Sequence, residues 1–275
     1  MTVKPDCVVC IMNQTLKSAK LLGVDDATAK KMLDATAEIL EHRDLSYTPP
    51  QIAKDTYRAI AEISGEEDPI AKAKEAATQA ALRVDTSMVE SLHDAMKFAA
   101  VGNVIDFGAQ RELDLNETVR RAFEQPFAVD DFARFDAELA QAKTLVYIGD
   151  NTGEHIFDKR FIEAIKARYE VEVYYFVRGK PIINDVTLKE ARYLADTAHI
   201  VDTGVPTPGF DLAYANEASK RLFEQADMVL AKGMGNFESL YDVCKREVYY
   251  LFIVKCDVVA QAIGREVGSF IFTKH

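Results

Sequence analysis

Four cysteines in 275 residues, Cys7, Cys10, Cys244 and Cys256, are too few and too scattered for a disulfide framework. The opening stretch, MTVKPDCVVCIMNQ, lacks the charged start and longer apolar run of a secretory signal. No apolar run approaches the ~20 residues of a membrane-spanning helix. Positive charge is also short: 33 Lys and Arg face 44 Asp and Glu, and the net charge of −11 offers no basic footprint for nucleic acid. These absences lead to the expectation of a soluble, cytoplasmic protein whose partners include neither membrane nor nucleic acid. An anionic substrate remains open, because local field and bound metal outweigh global charge at a site. Histidine pairs at metal-ligand spacing are missing too, so Cys7-Val-Val-Cys10 has the spacing of half a zinc ribbon without the other half. Buried apolar thiols are the default expectation for all four cysteines, with a redox or metal role for the first pair as the alternative.

What is present is an ordinary globular composition, 48% hydrophobic and 28% charged, with no internal repeat or low-complexity segment. Residues 1–125 read as a helical domain. Apolar residues recur at helical spacing from Val8 to Leu22 and from Ala29 to Leu40, and Thr48-Pro-Pro50 suits the start of a third helix. A charged, alanine-rich helix follows Asp68-Pro69, and another runs from Met88 towards Val101. Gly102 to Gly108 interrupts the pattern, either as a plain loop or as a segment presenting Asn103 and Asp106 to a ligand. Residues 126–275 read as an α/β domain that begins with a connector. Past Thr144 strands alternate with helices: 145–148, 171–177, 199–201, 228–231, 249–254 and 269–272 for the strands, and 154–168, 187–195, 213–225 and 237–243 for the helices. That alternation predicts a Rossmann-like, mostly parallel sheet covered on both faces. The short link through Gly264 predicts an antiparallel last pair.

Three predicted strand ends carry polar residues: Asp150-Asn151, the run from Arg178 to Asn184-Asp185, and Lys232-Gly-Met-Gly-Asn236. In a parallel sheet all three turns share one edge, where open α/β sheets bind ligands. Each also has a structural reading. Asn151 to Glu154 and Thr187 to Glu190 have capping-box spacing, and Asn236 could cap a helix after a glycine turn. The functional reading joins them. Asp150, Asn151 and Asp185 offer hard oxygen ligands for a divalent metal, and Lys232 beside glycine amides suits phosphate. Glu154 could orient or deprotonate a water, and the set suits hydrolysis of a phosphate ester.

The segments GDNTGE, NDVT and KGMGNFE, with the N-terminal CVVC and with GNVIDFG, resemble the damage-control phosphatases, a metal-dependent family long catalogued as a domain of unknown function. The resemblance runs from Cys7 to about Glu238, in the family's motif order, and points to the compact prokaryotic type with paired cysteines. It implies a helical part followed by a Rossmann-like part. It implies metal on Asp150, Asn151 and Asp185 (Mn²⁺, Co²⁺ or Ni²⁺ more often than Mg²⁺); joined to the reading of the residues, the expected catalytic set is Asp150, Glu154 and Lys232. It further implies that Lys232, Asn103 and Asn236 contact the substrate phosphate; Asp106 and Glu238 complete the expected substrate contacts, and the implied substrates are small phosphorylated metabolites: sugar phosphates and damaged cofactor or nucleotide precursors. Thr152, Met234 and Phe237 depart from the usual alanine, glutamine and tyrosine without removing a ligand. Three rivals stand beside this reading. A haloacid-dehalogenase-type phosphatase wants aspartate where Thr152 stands. A SAM-dependent methyltransferase wants glycines where Asp150 and Asn151 stand. A metal- or metabolite-binding regulator would use the same pocket without turnover.

Overall fold

The computed structural model of the protein describes residues 1–102 and 115–275. Three N-terminal helices, α1 (Pro5–Leu22), α2 (Asp26–Glu41) and α3 (Pro49–Ser64), pack on one another. Their ends follow local chemistry. Asp25 accepts from the Thr28 amide at 2.8 Å, and Thr48 and Gln51 form a reciprocal capping box ahead of two prolines. Gly23 and Gly65, at φ of 66° and 72°, close α1 and α3 in the left-handed conformation. Helix α4 (Ala71–Ala81) and helix α5 (Leu92–Val101) complete this part.

After α6 (Leu115–Glu124) the chain runs β1 (Phe127–Asp130), α7 (Phe132–Leu139), β2 (Thr144–Ile148), α8 (Glu154–Arg168), β3 (Glu172–Val177), α9 (Leu188–Ala191) and β4 (His199–Asp202). It continues through α10 (Glu217–Gln225), β5 (Met228–Lys232), α11 (Gly233–Leu240), β6 (Tyr249–Ile253), α12 (Asp257–Ile263) and β7 (Phe270–Lys274). The sheet order is β1-β7-β6-β5-β2-β3-β4. Every neighbouring pair is parallel except β6–β7, the antiparallel pair that the Gly264 link predicts. From β2 the chain builds outward to β3 and β4, then crosses back to lay β5 on the other side of β2. The order reverses between β2 and β5, and the crevice of a doubly wound sheet opens at that reversal.

Strand β2 is buried on both faces, as a parallel strand covered by helices must be. Its alternation sorts the core: Leu145 and Tyr147 join the layer containing α5 and α8, whereas Val146 and Ile148 join the layer containing Phe210, Phe237 and Leu240. Helix α5 buries Leu92, Ala95, Met96 and the run from Phe98 to Val101. It packs along α8, so the largest core cluster draws on residues from both sides of position 125.

Several boundaries differ from the sequence expectation. β1 lies inside the stretch taken for a connector with short helices, of which α7 is one, and α12 sits inside the short link to the last strand. Helix α10 begins at Glu217 rather than at Ala213, because Asn216 caps the Ser219 amide at 2.9 Å. Helix α11 begins at Gly233, directly off β5.

Candidate active site at the sheet switch point

The turn after β2 and the turn after β3 are stitched edge to edge. Asn151 and Asp185 form an isolated antiparallel bridge, the Thr152 amide donates to Asn184 O at 2.8 Å, and the Val186 amide donates to Asp150 O at 2.9 Å. Two carboxylates and one amide, distant in sequence, thereby meet. The β3 turn reaches this position through Ile183, a β-branched residue at φ 44°. Such strain costs on the order of 1–3 kcal/mol and persists only where the surroundings enforce it.

Asp150 lies against the first turn of α11. Gly233 makes this possible, since a Cβ there would stand 1.9 Å from Asp150 Oδ2, and its φ of 75° also favours glycine. The helix start puts partial positive charge beside the carboxylate. The Asn151 amide donates through Nδ2 to Asp150 Oδ2 and to Glu154 Oε1, each at 2.8 Å, which turns its carbonyl oxygen away from both acids. The capping box expected from Asn151 to Glu154 does not form, because Gly153, at φ 96°, is the residue that precedes α8.

Behind these groups lies a buried charge network. Lys232 was expected on a substrate phosphate. The structure instead sinks its ammonium onto Ala99 O at 2.8 Å, Asp158 Oδ1 at 2.6 Å and Glu154 Oε2 at 3.4 Å. Those contacts use all three donors of a lysine. Asp158 also accepts from the hydroxyls of Tyr147 and Tyr175 at 2.7 and 2.8 Å. Asn236, expected as a substrate contact or a cap, is fully buried within α11 and wholly engaged. It donates to Gly149 O and Lys232 O, and accepts from the Phe210 amide and Arg178 Nη2. It ties the ends of β2, β3 and β5 together. Arg178 is buried too, with Nε on Asp185 Oδ2 at 2.7 Å.

Glu238, like Asp150 and Asp185, does not line the cavity that Asn151 and Glu154 line; burial, with a further push from Asp150, takes its carboxyl up to about 7, and the Met1 amino group donates to its backbone carbonyl. Asn103 and Asp106 lie outside the described residues. Of the cysteines only Cys7 is buried, Cys10 is exposed, and all four are free thiols. The expectation of four buried thiols holds for one: Cys10 sits on an open side of α1, and Cys244 and Cys256 are half-buried.

Burial pushes Glu154 up to about 7, with Lys232 opposing and Asp150 reinforcing the shift. Burial likewise pushes Asp185 up to about 7, against the pull of Arg178 and with the push of Asp150. Lys232 is drawn above the ordinary lysine value: desolvation opposes this, but Asp158 and Glu154 outweigh it. The acids therefore repel one another across a small space, and a cation would relieve that repulsion. Among the described residues no group of three His, Cys, Asp or Glu side chains is disposed to hold a metal. Two carboxylates and the Asn151 side chain are brought together; with the amide turned so that its oxygen faces Asp150, they would suit a hard divalent cation that keeps several waters. The site opens into a cavity of about 480 Å³, lined at its polar end by Asn151, Thr152, Glu154 and Lys255 and by Tyr57 and Lys74 from the helical part. That volume lies within the ordinary range for small-molecule pockets.

Sequence reasoning overlooked Asp158, the two tyrosines, Lys74 and the burial of Arg178. Asp158 was within reach, since it follows Glu154 by four residues on one helix face. The tyrosines carried no such mark, because a Tyr in a buried strand reads as core.

A doubly wound α/β sheet whose switch point joins buried acids to a cavity of small-molecule size is an architecture common among enzymes acting on small molecules. Within that class, residues 3–271 match the model of the damage-control phosphatase ARMT1-like domain, and the chain belongs to this family. A damage-control phosphatase of Archaeoglobus fulgidus is 32% identical over 98% of both chains. An uncharacterized protein of Methanocaldococcus jannaschii is 31% identical over 99% of this chain and 95% of its own. The crystal structure of a DUF89 family protein from Pyrococcus horikoshii superposes with a TM-score of 0.93 at 26% identity, covering 100% of this chain and 99% of that one. The family assignment supports phosphatase function. No helix among the described residues is long and apolar enough to cross a membrane.

Proposed function

We propose that the chain is a metal-dependent phosphomonoester hydrolase of the compact type with paired cysteines. Its substrates in this reading are small phosphorylated metabolites, such as sugar phosphates or damaged cofactor or nucleotide precursors. The observation that carries the reading is the bridge that sets Asn151 against Asp185, with Asp150 beside them on the start of α11. These three residues would hold Mn²⁺, Co²⁺, Ni²⁺ or Mg²⁺. The cation, when bound, supplies charge that steadies the phosphoryl oxygens and promotes ionisation of water.

The chain's own residues do the rest. Asp150 and Glu154 hold the Asn151 side chain between them. Glu154, pushed up to about 7, can take a proton from the attacking water and hold it at its carboxyl group near neutral pH. Lys232 keeps Glu154 in place from behind rather than meeting the substrate. Arg178 holds Asp185, and Asn236 locks the three turns. Replacing Asp150 by Asn tests the assignment: Mn²⁺ binding and phosphate release should both be lost while circular dichroism stays native. Full turnover in that variant would sink it.

A further inference from the structure

If Lys232 is spent on internal partners, another cation must meet the phosphate. Lys74, on α4, is a candidate that the motifs do not contain. Its side chain is 1% exposed, yet it lines the same cavity as Asn151 and Glu154. Among the described residues its ammonium has one partner, Asp68 Oδ2 at 3.1 Å. A lysine has three donors, so two have no acceptor among the described residues in a buried place. The other oxygen of that carboxylate, Asp68 Oδ1, is also buried and has no partner among the described residues. A pair evolved only to pin the start of α4 would gain by closing both oxygens on donors, since buried unmet polar groups are costly. The charge of Lys74 acts on Asp185 and on Glu190, so it stands close to the proposed metal ligands. Glu190 is itself occupied, capping α9 through the Thr187 amide and hydroxyl.

We infer that Lys74 is the cation that contacts the substrate phosphate, closing on its non-bridging oxygens from the helical side, opposite Asp150, Asn151 and Asp185. Asp68 holds the ammonium in position. This rests on the phosphatase reading above, and it gives the helical part a direct share in the site.

The test compares wild type with Lys74→Met, both full length and loaded with Mn²⁺. Three quantities are measured: the Mn²⁺ dissociation constant, inhibition by inorganic phosphate, and kcat/KM on an aryl phosphate. Loss of one charge-assisted contact predicts a fall of about 100-fold in kcat/KM and at least about tenfold in phosphate affinity. Mn²⁺ affinity should stay within about threefold, because Lys74 is not a ligand, and Lys74→Arg should recover part of the phosphate affinity. If Lys74→Met does not fold, Lys74→Gln is read in its place: it is neutral but can still donate to Asp68, and unchanged phosphate inhibition in it overturns the assignment. Unchanged phosphate inhibition in a folded Lys74→Met does the same while leaving the phosphatase reading intact. A wild-type chain that binds Mn²⁺ but neither binds phosphate nor turns over removes the phosphatase reading, and this assignment with it.

Discussion

Replacing Lys232 by Met separates the buried-network account from a substrate-contact account. Methionine keeps most of the aliphatic stem and deletes the ammonium, which leaves the carboxylate of Asp158, the carbonyl of Ala99 and one side of Glu154 without their donor. Lys232 and Asp158 are fully buried, so water does not replace the lost partner. Removing one member of a buried pair costs about 3–5 kcal/mol, chiefly because the other charge is stranded. Glu154 softens the loss, since an acid already pushed up to about 7 can take a proton. Asp158 keeps its two tyrosine hydroxyls but loses the ammonium that balances its charge. The assay is urea unfolding followed by circular dichroism, with Lys232→Met, Asp158→Asn and the double variant measured together. The double variant should be less destabilised than the sum of the singles by about 1–3 kcal/mol, as expected for groups in one network. A loss below about 1 kcal/mol for Lys232→Met, with additive singles and a raised KM, would refute the reasoning and return the lysine to the substrate.

Other perturbations follow from the same geometry. Asp185→Ala should destabilise the fold by about 3–5 kcal/mol, because it strands the buried Arg178 guanidinium as well as removing a proposed ligand. Asp185→Asn keeps an acceptor for Arg178 Nε and should lose Mn²⁺ binding with little change in urea midpoint; calorimetric titration beside unfolding checks both. His155 gives a pH signature. Its Nδ1 accepts the Gly153 amide at 3.0 Å, and burial pushes it from the ordinary 6.5 down to about 4. The unfolded chain takes up this proton below pH 6.5 and the folded chain only below about 4, so its stability is fully present above 6.5 and is lost as pH falls through that window. Against His155→Gln, wild type should lose about 3 kcal/mol between pH 7 and pH 4. A difference independent of pH would show that His155 is not held neutral.

Much of the fold was legible because it rests on local patterns. Apolar runs bounded by turns gave the central strands within a residue or two, and Thr48-Pro-Pro50 and Asp25 marked helix starts through capping chemistry that needs no tertiary partner. β1 was hidden: its exposure alternates, and it pairs with β7 across the length of the α/β part, so nothing near Phe127 announces it. The site was legible as motifs but not as roles. Adjacent polar residues at strand ends located Asp150, Asn151 and Asp185, whereas the direction of Lys232 depends on Asp158 and on the Ala99 carbonyl, which α5 brings in from far upstream. Asn236 misled for a related reason. An asparagine after a glycine turn has cap chemistry in sequence, but α11 begins before it and turns its amide inward to four partners. Lys74 was invisible because a lysine in an alanine-rich helix reads as solvent-facing until the packing of α4 is known.

The central claim is that Asp150, Asn151 and Asp185 hold a divalent cation on which phosphate release depends. The most direct test strips the full-length protein with chelator and then measures phosphate release from an aryl phosphate and a panel of sugar phosphates, with Mg²⁺, Mn²⁺, Co²⁺ or Ni²⁺ returned one at a time. The account predicts no release from the stripped protein and turnover restored by at least one cation. Equal release with and without chelator, or tight cation binding with no release from any substrate, would contradict it.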